Sequence, residues 1–273
     1  MSQPSLTTIS LSLEQGVAEV RLNRPDKSNA MTDAMWLEIR QAFAWVDATP
    51  EVRVAILAGE GRNFCAGIDL ALLADIQRRT AHPDGARSRE ALRRLILDMQ
   101  DCLTSIERCR KPVLAAIQGA CIGGAVDLVT CCDMRYAAAD AVFSVREIDV
   151  GMVADVGTLQ RLPRLVPEGV ARELAFTGRN FLADDAERIG LINRVFASPE
   201  ALTAAVRELA RTIAAKSPLA TRGIKEVMNY SRDHPVADGL AFVAAWNAAM
   251  LLSADLNEAI AAQREKRPAR FAD

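Results

Sequence analysis

Two short, nearly continuous apolar runs constrain the fold of this chain more strongly than any other feature. They span Val52–Ala58 and Pro112–Ile117. A run of this length without regular polar alternation is typical of a strand that is buried on both faces, as in a parallel sheet covered by helices. A glycine turn follows each run, at Gly59-Glu60-Gly61 and at Gln118-Gly119. The two runs therefore predict an α/β core.

The sequence around these runs predicts further strands and helices. Val17–Leu22 alternates apolar and polar residues, which predicts a strand that ends at a turn. Thr32 fits the N-cap of an amphipathic helix that stops near Thr49-Pro50. The other predicted elements are strands at Met134–Ala138 and Ala141–Val145, a helix from Leu70, a flexible polar stretch at 78–89, a long helix over 89–109 and a helix over Ala125–Cys132.

Helical periodicity replaces the strand signal in the last part of the chain. Three helices are predicted there, near 199–215, 218–231 and 236–265. We therefore divide the chain into an α/β core with the active site at 1–198 and a helical C-terminal region at 199–273.

Composition argues against several classes of function. The formal net charge of -2 gives no general attraction to nucleic acid, so no nucleic-acid partner is expected. The six cysteines form no CxxC pair and lie among aliphatic residues, which indicates buried thiols in a reducing compartment. No apolar run is long enough to span a bilayer, and no membrane partner is expected.

Neither end of the sequence carries a targeting pattern that we recognise. The stretch MSQPSLTTISLSLEQG lacks the apolar core of a secretory signal and the arginine-rich pattern of a transit peptide. The last three residues, Phe271-Ala272-Asp273, do not match a peroxisomal tripeptide. We therefore expect a cytoplasmic protein.

The scarcity of histidine narrows the chemistry. His82 and His234 have no nucleophile and acid at a recognisable spacing, which argues against a catalytic triad, and no cluster has metal-ligand spacing. Gly119, Gly123 and Gly124 match neither a dinucleotide fingerprint nor a phosphate-binding loop. Carboxylates and backbone N–H groups remain as the chemically active groups, without a metal.

Small residues occupy two predicted strand-to-helix junctions, NFCAGIDL at 63–70 and GACIGGAVD at 119–127. The first N–H groups of a helix have no internal partner and favour negative charge. Two such donors aimed at one point would hold a developing oxyanion. Tight packing of strand against helix explains the glycines equally well, so the junctions alone leave both interpretations open.

Three acidic residues lie in apolar surroundings: Asp127, Glu147 and Asp155. Burial and mutual repulsion raise carboxyl pKa values into the range that suits proton transfer. The alternative is that each acid caps a turn or pairs with an arginine. The candidate arginines are Arg135, Arg146 and Arg161.

Five motifs over nearly the whole chain carry a resemblance to a known family. They are NRPDKSNAM at 23–31, FCAGIDL at 64–70, KPVLAAIQGACIGGAVDL at 111–128, GTLQRLP at 157–163 and EKRPARF at 265–271. Together they resemble the crotonase (enoyl-CoA hydratase/isomerase) superfamily. The fold that this resemblance implies is a crotonase-like spiral of ββα repeats, with a helical C-terminal region that builds homo-trimers, often paired into hexamers.

The spacing of the three acids resembles the Δ3,5-Δ2,4-dienoyl-CoA isomerases within that superfamily. Hydratases of the superfamily carry Glu where Asp127 stands. The resemblance implies that 3,5-dienoyl-CoA becomes 2,4-dienoyl-CoA through a stabilised dienolate. In this assignment Glu147 takes the C2 proton, Asp155 delivers a proton at C6, and Asp127 orients Glu147 and tunes its pKa.

The resemblance also implies how the thioester is bound. The backbone N–H groups of Ile68 and Gly124 would form the oxyanion hole. Coenzyme A is part of the substrate, so no separate cofactor is expected. Its phosphates and adenine would meet Lys27, the backbone at Cys65, Ala66, Gly67 and Asp69, and Lys266 or Arg267 of a neighbouring subunit.

Two other functions remain open at this point. An enoyl-CoA hydratase would use the same fold and thioester. A non-catalytic acyl-CoA-binding protein would keep the fold without turnover. Retention of three acids argues against the second, because buried carboxylates without a function only reduce stability.

Overall fold

The structure is a computed structural model and describes residues 2–272, so Met1 and Asp273 at the outer ends of the two predicted regions lie outside the described residues. Its strands are β1 (Ile9–Glu14), β2 (Val17–Leu22), β3 (Val54–Gly59), β4 (Val113–Ile117), β5 (Ala120–Ile122), β6 (Met134–Ala138), β7 (Val142–Ser144), β8 (Phe181–Leu182) and β9 (Arg194–Phe196).

Helices follow or separate most of these strands. They are α1 (Asp33–Ala48), α2 (Leu70–Arg79), α3 (Gly85–Arg108), α4 (Gly124–Thr130), α5 (Thr158–Arg161), α6 (Glu168–Thr177), α7 (Ala183–Arg188), α8 (Pro199–Ala214), α9 (Pro218–Arg232), α10 (Val236–Met250) and α11 (Ala254–Glu265). Short 3₁₀ turns lie at Pro25–Lys27, Arg146–Val150 and Leu162–Arg164.

Two sheets organise the chain. The larger has the order β1-β2-β3-β4-β6-β9 and is parallel except for the β1–β2 hairpin. The smaller has the order β5-β7-β8, with β5 and β7 parallel. Every residue of β3 and β4 is buried, as the two apolar runs predict. The predicted α/β class is confirmed.

Helices cover both faces of the larger sheet. Leu57 and Ala115 point into the main core, which α1 and α3 close through residues such as Phe43 and Leu103. Ile56 and Leu114 point the other way and pack against α8. This helix therefore belongs physically to the sheet although it follows residue 198, and the boundary between the two predicted regions stays a prediction.

Two sequence predictions about helices are wrong in detail. The polar stretch at 78–89 is mostly helical, because α2 continues to Arg79 and Asp84 caps α3 by accepting a hydrogen bond from the Ala86 N–H at 2.8 Å. The polar residues form exposed helix surface. The predicted helix over 236–265 is two helices, because Ser253 caps α11 and starts a new direction.

Helices α10 and α11 meet at an angle of 77°. Among the described residues, no single helix is long and apolar enough to cross a membrane, and only this bent pair passes that test of length and composition when its members are joined.

Candidate active site

The hydrogen bonds of the residues on either side of Ile68 fix the direction of the Ile68 N–H group. Met31 forms a parallel β-bridge with Ile68, in which the Met31 N–H donates to the Gly67 carbonyl at 2.8 Å and the Asp69 N–H donates to the Met31 carbonyl at 3.0 Å. Because backbone groups alternate in direction along an extended segment, the intervening Ile68 N–H points away from Met31. It donates to no protein acceptor within residues 2–272.

The second N–H belongs to Gly124, the first residue of α4, and it likewise has no protein acceptor within the described chain. A Cβ atom at Gly124 would lie 2.8 Å from Met31 Cε, so the position accepts only glycine without rearrangement. The same Cβ would lie 3.9 Å from the Ile68 nitrogen, and one on Gly67 would lie 3.5 Å from the Gly124 nitrogen. The two free donors are therefore neighbours.

Asp127 lies one turn into α4 and its side chain is fully buried. Burial raises the pKa of this carboxyl group to about 6, although the Thr158 N–H donates to its Oδ1 at 2.5 Å and lowers the pKa. The other oxygen, Oδ2, is buried without a donor. A carboxyl group in this position is protonated far more readily than an exposed one.

Glu147 lies in the 3₁₀ turn after β7, and its Oε1 would be 3.3 Å from a Cβ atom on Gly123, beside the two free N–H donors. Burial and then the neighbouring Asp127 charge raise the pKa of Glu147 to about 7. Its Oε2 is buried without a donor, and its carboxyl group is within hydrogen-bonding reach of Asp127. A single proton shared between the two carboxyl groups would give each of them a hydrogen-bond partner.

Asp155 is half-buried in the irregular segment before α5. Burial raises the pKa of its carboxyl group, and its own N–H partly offsets this effect. The Asp155 charge in turn contributes to the raised pKa values of Asp127 and Glu147. The structure thus brings together the three acids that the sequence singled out.

The arginines considered as alternative partners bind elsewhere. Arg135 donates to the carbonyls of Cys132 and Leu191, Arg146 pairs with Asp149 at 3.2 Å, and Arg161 pairs with Glu107 at 2.6 Å. No ion pair involves the three acids within residues 2–272. Because buried carboxylates without a cation are costly, the arrangement indicates a site built for proton transfer.

Residues 65–69 next to the free N–H groups are largely engaged with the protein itself. The Cys65 N–H donates to the Ala120 carbonyl, the Cys65 carbonyl accepts from the Ile122 N–H, and the Gly67 carbonyl accepts from Met31. Within the described residues, the carbonyl of the exposed Ala66 has no donor. It is an exposed acceptor in the segment that the family resemblance assigns to coenzyme A binding, and that assignment stays a prediction.

Lys27 is exposed on the 3₁₀ turn next to this loop. The Ala71 N–H is the main cause of the lowered pKa of Asp69, and the Lys27 charge adds to it. The Asp69 carboxylate caps α2 through the Ala71 N–H and pairs with Arg24 at 3.1 Å. Its side chain is therefore occupied. Arg267 is also paired, with Glu258 and Glu265, whereas Lys27 and Lys266 are both exposed.

All six cysteines are free and buried, as the sequence predicts. Burial raises the pKa of the Cys65 thiol to about 12, so this residue is not a nucleophile at neutral pH. Among residues 2–272, no group of three His, Cys, Asp or Glu side chains is placed to hold a metal ion.

Sequence reasoning missed the residues that hold the site in place. Asn29 is fully buried, and its side-chain amide donates to the Glu60, Asn63 and Phe64 carbonyls in the segment that leads to Ile68. Gln100 of α3 donates to the Asp155 carbonyl at 2.6 Å. Asn29 lies in the motif NRPDKSNAM, which could have drawn attention to it. Gln100 lies in none of the five motifs, so no sequence pattern gave a reason to select it.

Comparison with known proteins gives one consistent result. The enoyl-CoA hydratase/isomerase family matches residues 12–273. The chain is 47% identical over 272 residues to the peroxisomal Delta(3,5)-Delta(2,4)-dienoyl-CoA isomerase of Arabidopsis thaliana, which covers 99% of this chain and 98% of that protein. It is 45% identical over 257 residues to the mitochondrial isomerase of the same name from Homo sapiens, with 94% and 78% covered.

A solved structure agrees with these relatives. An enoyl-CoA hydratase from Bacillus anthracis superposes with a TM-score of 0.87 at 29% identity, over 97% of this chain and 99% of that chain.

The predicted cytoplasmic location is wrong by this comparison, because the two isomerases above are named as peroxisomal and mitochondrial proteins. The prediction relied on finding no targeting pattern. Targeting signals are short motifs that receptors recognise, so failing to recognise one in a sequence is weak evidence about where the protein is located.

Proposed function

The chain belongs to the enoyl-CoA hydratase/isomerase family, and we propose that it is a Δ3,5-Δ2,4-dienoyl-CoA isomerase. The predicted family and crotonase-type α/β fold are confirmed. The observation that carries the proposed reaction is the set of three carboxyl groups without a cationic partner, next to two free N–H donors. Isomerisation needs removal of a proton at one carbon, return of a proton at another, and donors that hold the charge between these steps.

The thioester carbonyl binds at the N–H groups of Ile68 and Gly124. When C2 loses a proton, negative charge moves onto this oxygen, and both donors strengthen their hydrogen bonds to it. One such donor is typically worth about 3–4 kcal/mol in the transition state. The free donors and their closeness support this assignment.

Glu147 acts as the base at C2. Its pKa of about 7 keeps a large fraction ionised at neutral pH and makes it a stronger base than an exposed glutamate. The electron pair of the C2–H bond spreads over the diene as a dienolate.

Asp155 acts as the acid at C6. It gives its proton to that carbon, and the electron pair returns to form the C2–C3 and C4–C5 double bonds. Glu147 ends protonated and Asp155 ends ionised, so exchange with solvent resets both. Burial raises the pKa of Asp155, which favours the protonated form this step requires.

Asp127 orients Glu147 and raises its pKa. A hydratase of this family has Glu at this position, and the shorter Asp127 side chain holds its Oδ1 on the Thr158 N–H inside the protein. This placement leaves it poorly suited to activate water, which favours isomerisation over hydration. The same buried, unpaired acids argue against a non-catalytic acyl-CoA-binding protein.

Coenzyme A would be held by Lys27 and the Ala66 carbonyl as part of the substrate, with no separate cofactor. Cys65, Gly67 and Asp69 shape the loop around these groups rather than offering free side chains. Lys266 of a neighbouring subunit would complete the phosphate site.

We propose that the protein assembles as a homo-trimer or hexamer. Large apolar side chains on α9 and α10 face solvent in the isolated chain, including Ile224, Met228, Val236 and Leu240. Several large exposed apolar side chains on two neighbouring helices are typical of an interface between proteins.

The test of the proposed function is an assay of the purified protein with a 3,5-dienoyl-CoA. Formation of the conjugated 2,4-dienoyl product is followed by its ultraviolet absorbance, and hydration of a 2-enoyl-CoA is measured in parallel. We expect the first reaction to exceed the second by orders of magnitude. Rapid hydration without a 2,4-dienoyl band would assign the protein to the hydratases, and binding without either reaction would assign it to the non-catalytic class.

A further inference from the structure

The backbone that carries Asp155 has almost no hydrogen bonds of its own. Residues 153–156 lie between the Met152 N–H, which donates to the Glu147 carbonyl, and Gly157, whose carbonyl accepts the first bonds of α5. Within the described chain, these four residues take part in no backbone–backbone hydrogen bond. Among residues 2–272, one hydrogen bond joins them to another residue, from Gln100 Nε2 to the Asp155 carbonyl at 2.6 Å.

Gln100 belongs to a polar stripe on α3 formed by Gln100, Thr104 and Glu107. These residues are spaced by four and three positions and share one helix face. Thr104 and Glu107 both accept hydrogen bonds from Arg161 of α5, at 3.2 Å and 2.6 Å. The stripe therefore fixes the far end of the irregular segment as well as Asp155.

We infer that Gln100 is a positioning residue that sets where the Asp155 carboxyl group meets C6 of the substrate. This inference rests on the proposed function. The carbonyl of Asp155 is held by Gln100 and its carboxyl group faces its own N–H, so both sides of the residue are oriented. Without Gln100, the peptide after Asp155 is free to rotate and the carboxyl group loses its fixed direction.

The expected consequence is specific to one of the two proton transfers. Glu147 lies in a different turn, after β7, and its backbone carbonyl is bonded to the Met152 N–H independently of α3. Misplacement of a reacting group by about 1 Å costs on the order of a hundredfold in rate. Removal of the Gln100 donor should therefore slow proton delivery at C6 and leave proton removal at C2 nearly unchanged.

The test compares Gln100→Met with Gln160→Met. Both glutamines line one polar cavity of about 410 Å³, but Gln160 is an exposed residue of α5. The two variants thus lose the same amide group in the same neighbourhood. Wild type and both variants are incubated with a 3,5-dienoyl-CoA in D₂O. Exchange at C2 is read by NMR and product formation by ultraviolet absorbance.

We expect Gln100→Met to lower product formation by about 10- to 100-fold and to change C2 exchange by less than about twofold. Gln160→Met should match wild type in both. Unchanged product formation in Gln100→Met would overturn the inference, as would an equal loss of C2 exchange and product. A wild-type protein that makes no 2,4-dienoyl product would instead refute the proposed function, and the inference with it.

Discussion

At the scale of single residues, the site depends on carboxyl groups whose protonation is controlled by burial. Asp127 and Glu147 each have one buried oxygen without a donor, and they lie within hydrogen-bonding reach of each other. Two carboxylates so placed titrate as a coupled pair that favours holding one proton. Ionising both therefore costs the folded state free energy.

Replacing Asp127 by Asn should stabilise the folded protein at alkaline pH. The folded-state pKa of about 6 lies above the ordinary value of 3.8, so ionised Asp127 destabilises the fold above pH 6 and this cost vanishes as the pH falls toward 4. We expect a gain on the order of 2–3 kcal/mol in the free energy of unfolding at pH 8, shrinking toward zero near pH 4. Urea unfolding at the two pH values measures it.

The matched control is Asp140→Asn, which changes an exposed aspartate and should leave stability unchanged at both pH values. A lower stability of Asp127→Asn at pH 8 would show that the ionised Asp127 is favourable in the fold.

The same substitution should change the pH dependence of the reaction. In the wild type, kcat/KM should fall as the pH drops through about 7, because protonated Glu147 cannot act as a base. Asp127→Asn removes a negative neighbour that raises this pKa, so the acidic limb should move to lower pH. An unmoved limb would mean that a group other than Glu147 controls it.

Replacing Glu147 by Gln should abolish exchange of the C2 protons with solvent and lower the isomerisation rate by about 10²–10⁴-fold. NMR of a 3,5-dienoyl-CoA in D₂O measures the exchange. Glu51→Gln, at an exposed position in the turn after α1, is the control and should exchange like wild type. Persistent exchange in Glu147→Gln would identify a different base.

At the scale of structural elements, the site is made where three loops meet at the end of the parallel sheet. Sequence reasoning found the local parts of this arrangement: the buried strands β3 and β4, the Thr32 cap of α1, and the glycine junction before α4. Each of these features depends on the periodicity of its own segment and on turn or cap residues within a few positions of it. The bridge from Met31 to Ile68 and the bond from Gln100 to Asp155 join distant segments and leave no such local signal.

Replacing Gly124 by Ala tests the junction itself. The added methyl group leaves the N–H in place but would lie 2.8 Å from Met31 Cε, the end of a flexible side chain, and 3.9 Å from the Ile68 nitrogen. It takes up space beside both donors, so we expect kcat to fall, by less than the roughly 10²–10³-fold that loss of a whole donor causes. Gly169→Ala in α6 is the control, because a Cβ atom there meets nothing within 4 Å. Full activity of Gly124→Ala would show that the reacting oxygen does not need the space beside these two N–H groups.

At the scale of the whole molecule, the proposed assembly follows from the apolar side chains on α9 and α10. Their hydrophobic character is visible in the sequence, but periodicity alone does not show which helix faces remain uncovered after folding. The sequence pattern also does not show the break between α10 and α11. Helical periodicity continues across Ser253, which caps the second helix, so the pattern predicts a single helix.

The mass of the protein in solution tests this assembly. Light scattering should give three or six times the chain mass of 29.6 kDa. Replacing both Met228 and Leu240 by Glu should reduce this mass, because charges would be buried in the interface. Leu97→Glu places a charge on the exposed part of α3 and should leave the mass unchanged. A monomeric wild type would contradict the proposed trimer.

The central claim is that two different carboxyl groups divide the proton transfers, Glu147 at C2 and Asp155 at C6. The most direct measurement is the position of deuterium in the 2,4-dienoyl product after a single turnover of unlabelled 3,5-dienoyl-CoA in D₂O. Asp155 is equilibrated with solvent before substrate arrives, so this account predicts one deuteron at C6 in each product molecule. Product that carries the original C2 proton at C6 would show that a single carboxylate moved it across the diene, and would contradict the account.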